Sequence, residues 1–105
     1  MKTKEFRTHL TLKFPNSATT VNNAICICKK VEKYHGDLDE YFALDNCEEL
    51  MFLLTYTADD NLHRREARHL VPCGGDIYTN TATFKKWINV YKEFCEKKNW
   101  QFGTY

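Results

Sequence analysis

Helix breakers are scarce in this chain, which has four glycines and two prolines in 105 residues. That excludes a collagen-like or low-complexity chain and leaves long stretches free to be helical. No apolar run approaches the roughly 20 residues that a membrane span requires, and the first residues do not read as a signal peptide. An excess of either charge is missing too. Fifteen basic residues face 14 acidic ones, a formal charge of +1, so bulk charge demands no polyanionic partner and leaves room for a local basic patch. Gly74-Gly75 is not followed by Lys-Ser or Lys-Thr, which excludes a phosphate loop.

What is present suits a single helical globule. Apolar residues make up 43% of the chain and aromatics 14%, enough for a real core. The five cysteines are Cys26, Cys28, Cys47, Cys73 and Cys95. An odd count without a secretory leader points to reduced thiols in the cytoplasm. On a helix Cys26 and Cys28 aim about 200° apart, so they share neither a bridge nor a metal. His69 and Cys73 are four residues apart, but Pro72 intervenes and no second pair completes a zinc set. No cofactor or metal is expected.

The stretch 79–100 dominates the pattern. Phe84, Trp87, Ile88, Tyr91, Phe94 and Cys95 recur at spacings of three, four and seven, one stripe of a 3.6-period helix. Lys85, Asn89, Lys92 and Glu96 fall on the opposite side. Burial of each large side chain contributes roughly 1.5–3 kcal/mol, so the rest of the chain is expected to wrap around this helix.

The other elements follow from caps and breaks. In 5–14, Phe6, Leu10, Leu12 and Phe14 alternate with polar residues, as in a strand, yet Phe6, Leu10 and Phe14 also fit a helix. No partner strand appears later, and a lone strand leaves its backbone groups unpaired, so a helix is favoured. Ser17 caps a helix from Ala18 to about Tyr34, with Val21, Ala24, Ile25, Cys28 and Val31 inward and Gly36 as a left-handed cap. Asp37 opens a short helix over 37–44, and 47–56 reads as a buried helix. Thr57 caps a short helix across the basic run 63–69, and 71–76 is a loop. The tail, Trp100 to Tyr105, stays apolar and is expected to pack back on the core or to lead into a longer protein.

The order of motifs is similar to a known arrangement. Ser-x-x-Thr opens a helix ending in Val-Glu-Lys-Tyr; Asp37-Leu38-Asp39-Glu40-Tyr41-Phe42 and a Leu-rich helix follow. Then come Tyr-Thr-x-x-Asp-Asn, a basic loop, Pro-x-x-Gly-x-Ile-Tyr and an aromatic helix with Tyr-Lys-Glu-Phe. This resembles the small helical domain at the N-terminus of some restriction endonucleases and related mobile-element proteins. More distantly it resembles the SAM-like core-binding domain of phage integrases (tyrosine recombinases). The resemblance implies four to six helices without an active site, and the expected fold is all-α, a small orthogonal bundle of about five or six helices. The resemblance also implies an accessory role in holding DNA or linking to a nuclease domain or subunit. Neither the recombinase Arg-His-x-x-Arg set nor the nuclease Asp…Glu-x-Lys signature is present.

Three cationic clusters are the candidate DNA contacts. Lys29, Lys30 and Lys33 share an exposed helix face with Asn22 and Asn23; Arg64, Arg65 and Arg68 form the second cluster; Lys85, Lys86 and Lys92 form the third. Mobile cations suit phosphates, and Asn suits base edges. The alternative is a protein-docking domain that binds no nucleic acid. An enzyme would need His63 or His69 as base beside Asp59 or Asp60, but the sequence supplies no nucleophile. The acid pairs Asp39/Glu40 and Glu48/Glu49 sit at helix starts, where the helix dipole accounts for them.

Overall fold

The fold was analysed in a computed structural model that describes residues 1–103, with side chains as far as Lys97. It is an all-α bundle of six helices: α1 (Thr3–Lys13), α2 (Ala18–His35), α3 (Leu38–Asp45), α4 (Glu48–Leu53), α5 (Ala58–Leu62) and α6 (Ile77–Gly103). α1, α2, α4 and α5 all pack against α6, and α3 packs on α4. The aromatic stripe is the reason: Phe84, Trp87, Ile88, Tyr91, Phe94 and Cys95 are all buried. Phe6 meets Tyr91 edge-on at 4.9 Å and Phe94 at 5.5 Å, and Phe14 meets Trp87 at 6.1 Å. The expected inner face of α2 is buried at all five positions, and Cys28 Sγ reaches the Trp87 carbonyl at 3.7 Å.

α1 settles the ambiguity of 5–14. A strand would have turned Leu12 the same way as Phe6 and Leu10. Instead Phe6 and Leu10 are fully buried while Leu12 is 79% exposed, as spacing by four requires. Thr8 and Thr11 direct their hydroxyls to the carbonyls of Lys4 and Arg7, four residues back.

The caps explain where elements end. Thr20 N–H donates to Ser17 Oγ at 3.4 Å. Gly36 ends α2 with φ 108° and ψ −179°, not in the left-handed helical region expected but in a region essentially confined to glycine. Asp37 accepts from the Asp39 N–H at 3.1 Å. Consecutive left-handed residues, Asn46 and Cys47, turn α3 into α4. α4 is shorter than the predicted 47–56, because Leu54 N–H closes on Leu50 and Thr55 N–H on Phe52, tightening the last turn. α6 begins at Ile77 rather than Thr79, because Asp76 caps it: Oδ1 accepts from Tyr78 N–H at 3.0 Å and Oδ2 from the Thr79 hydroxyl at 2.6 Å.

The helix predicted across 63–69 is not formed. Thr57 does cap α5, in a reciprocal box with Asp60, but the helix stops at Leu62. Arg64 adopts φ 52°, and the Arg65 N–H returns to the Asp60 carbonyl while the Arg64 N–H returns to Asn61. This is a Schellman stop with arginine where glycine is usual. Residues 63–76 then form an irregular strap across the bundle. The expected packing of the tail falls on side chains 98–103 and on 104–105, which lie outside the described residues.

One polar node sits inside the aromatic core. The Tyr91 hydroxyl accepts the Lys2 N–H at 2.9 Å and donates to Asp39 Oδ1. Tyr91→Phe leaves the Lys2 amide without this acceptor and is expected to cost about 1–3 kcal/mol, measured as a lower urea midpoint with an unchanged slope.

Candidate nucleic-acid interface

Where the acids lie decides which cations are free. Glu32 and Asp37 turn to the Met1 amine at 2.8 and 2.6 Å, and Asp39 takes Lys2 Nζ at 3.2 Å. Glu32 is the one acid in the α2 sequence, so its withdrawal leaves the outer face of that helix without a carboxylate. The amine is raised from its ordinary value of 8.0 to about 10: burial opposes its charge, but the hydrogen bonds to Asp37 and Glu32 outweigh that.

Lys29, Lys30, Lys33, Asn22 and Asn23 are exposed together on α2. Among the described residues none of the three lysines has an acidic partner within ion-pair reach. Lys30 Nζ lies 5.5 Å over the Phe84 ring and Lys33 Nζ 5.7 Å over Tyr34, so aromatic faces position two of them without neutralising them. Asn22 Oδ1 accepts from Arg7 at 2.7 Å, which adds an α1 cation to the face. Nothing local in the sequence marks Arg7, because the contact spans fifteen residues.

The second cluster is divided. Arg65 binds Asp60 at 2.7 Å and Asp59 at 3.2 Å; Arg68 reaches Asp60 at 3.4 Å and the Thr55 carbonyl at 2.8 Å. The Thr57 N–H and the Arg65 guanidinium hold the Asp60 carboxyl well below the usual carboxylate range. These two arginines fasten the strap. Arg64 has no such partner among the described residues. The third cluster is spread along α6. Lys85 Nζ donates to Thr55 Oγ1 at 3.0 Å and so meets Arg68 there, Lys86 lies over Trp87 at 4.8 Å, and Lys92 stands near Cys47.

The histidine–acid pairings an enzyme would use are not assembled around His69. His63 is exposed beside Asp59 at 3.3 Å, whereas His69 is buried and turned to Thr81 Oγ1 at 2.7 Å. His69 Nδ1 accepts the Val71 N–H at 3.1 Å, so its neutral ring carries the proton on Nε2. His35 Nε2 accepts the neighbouring Leu70 N–H at 2.9 Å. Two imidazoles thus take consecutive strap amides. Burial thickens the proton on Cys28, whose thiol is pushed up to about 12, and on Cys47, pushed to about 11, which makes both poor nucleophiles.

No family model matches this chain, and neither a curated protein nor a solved structure matches it significantly. No described helix is long and apolar enough to cross a membrane.

The two histidines that accept the strap amides, His35 and His69, set a pH dependence. Burial lowers both pKa values below 6.5, and the charge of His35 adds to the lowering at His69. Below pH 6.5 the unfolded chain therefore binds more protons than the native one, and stability falls with falling pH until the native values are passed. Hydrogen-exchange protection at Leu70 and Val71, taken relative to the intrinsic rate at each pH, is expected to fall in that window before the helices open. His35→Gln/His69→Gln protein, with no imidazole at either place, is expected to lose the part of this step that these two carry in a urea-midpoint titration from pH 7.5 to 4.5, keeping the part due to His9, whose pKa burial also lowers.

Proposed function

We propose that this domain is a non-catalytic accessory module that holds DNA through phosphate contacts. The carrying observation is the outer face of α2, where Lys29, Lys30 and Lys33 stand beside Asn22 and Asn23 with no acid among them. The eleven steps from Asn22 to Lys33 cover about 16 Å at 1.5 Å per residue, enough to follow several phosphates of one strand. Lysines supply the charge, and the asparagines stand where amides could meet a groove edge. Arg65, Arg68 and Lys85 are placed second in this reading, because each already has a partner in the fold. The resemblance to N-terminal domains of restriction endonucleases fits a module of this kind, working in the cytoplasm beside a nuclease domain or subunit. A near-neutral chain suits an accessory contact better than a stand-alone DNA binder.

A second reading, protein docking without nucleic acid, draws on a different surface. Leu44 is 75% exposed and Leu70 is 70% exposed, on either side of the half-buried His35 ring and Tyr41; Phe52 is 62% exposed beneath Arg68. Large apolar side chains exposed this near one another favour a protein partner.

Titration of a short labelled duplex at several salt concentrations separates the two. The DNA reading expects affinity to fall with salt at a log–log slope of about −0.9 for each phosphate neutralised. Lys29→Ala/Lys30→Ala/Lys33→Ala protein is expected to lose about 0.9 of that slope per lysine engaged. Duplex binding that ignores these lysines would remove the α2 face from the DNA reading, and no binding at low salt would leave docking as the surviving reading.

A further inference from the structure

A cleft opens between the end of α5 and the start of α6, apart from the α2 face. Tyr56, Asn61, Arg64, Arg65, Gly75 and Asp76 line it, and its free volume is about 180 Å³. That is room for about six waters at roughly 30 Å³ each, or for a five-atom tetrahedral anion with part of its hydration. The acids nearby are already engaged. Asp59 and Asp60 hold Arg65, and both oxygens of Asp76 are turned to the first turn of α6.

The donors are less committed. Arg65 uses one terminal nitrogen, Nη1, for both of its acids, which leaves the other guanidinium N–H groups available. The strap is fixed beneath it, since the Tyr56 hydroxyl donates to the Arg65 carbonyl at 2.6 Å. Arg64 enters the wall with no ion-pair or hydrogen-bond partner for its side chain among the described residues. It does so from a backbone with φ 52°, at a helix stop where glycine costs least. A guanidinium at the one position of α5's exit that favours glycine is a local cost that packing does not explain.

We propose that this cleft is an oxyanion site for a phosphate monoester or free phosphate, gripped by Arg64 and the free N–H groups of Arg65, with the Asn61 amide as a further donor. Planar guanidinium forks suit tetrahedral oxyanions, and two arginines line this cleft side by side in sequence. The site does not depend on DNA contact by α2, and its chemistry could be met by a 5′-phosphate end as well as by the free ion.

The test is a 1H–15N titration of the whole chain with inorganic phosphate at fixed ionic strength, with chloride as the control. Shifts centred on Asn61, Arg64 and Gly75 are expected with phosphate and not with chloride. Arg64→Gly should weaken phosphate binding by about tenfold or more, the loss of one charge-assisted contact. The same variant should be at least as stable to urea as the parent, so that lost binding cannot be blamed on lost folding. A short single strand with and without a 5′-phosphate then identifies the source. Tighter, Arg64-dependent binding of the phosphorylated strand assigns a nucleic-acid end, and Arg64-dependent binding of inorganic phosphate alone assigns the free ion. Equal shifts with chloride, or phosphate and 5′-phosphate binding that both survive Arg64→Gly unchanged, would overturn the site. The Lys29/Lys30/Lys33 variant leaves this site intact, so its effect on duplex binding reports separately.

Discussion

The hydroxyl of Tyr91 is the point on which the bundle turns. Its ring is buried among Phe6 and Phe94, so its oxygen must find partners inside the protein. It finds them in two segments far away in sequence, the Lys2 amide at the head of α1 and the Asp39 carboxylate in the first turn of α3. One oxygen thereby ties the central helix to both flanks. Burial and the adjacent carboxylate push the phenol's pKa up, so it stays a donor at neutral pH. The carboxylates around it then gather the Met1 amine and Lys2.

This arrangement has an electrostatic result. With nearly balanced charges, a basic surface can arise only where acids are drawn elsewhere. They are drawn to two places: the Met1–Lys2 corner, and the Thr57–Asp60 turn that fastens the strap. Structural ion pairing and the exposed lysines of α2 are thus two aspects of one distribution. The five-residue α5 owes its persistence to the same pairs, because a helix that short has little stability of its own.

Much of the fold was legible because it is periodic. The stripe on α6 and the inner face of α2 follow from spacing alone, and the Ser17, Asp37 and Thr57 caps from residue type. The alternation in α1 misleads because Leu12 is apolar yet exposed, and only the absence of a partner strand corrects it. Within the strap, 71–76 reads as the loop it is, but 63–69 reads as a helix for a physical reason. A run of helix-compatible residues, His63 to His69, carries no glycine to announce the left-handed stop at Arg64. Contacts across long separations, such as Arg7 with Asn22 or Leu70 with His35, leave no local trace. For the candidate site, the sequence marks the cations and the structure distinguishes those held by acids from those that are not.

The hub helix follows in the chain each of the four helices that pack against it. During synthesis at about 5–20 residues per second, α1 to α5 are made seconds before the surface that covers Phe6, Leu10, Val21, Ile25 and Leu54 exists. Until α6 is made, these apolar residues lack the face that buries them in the fold. A bundle whose keystone helix is made after the parts it holds exposes apolar surface for a time during its synthesis, the condition under which chaperones act.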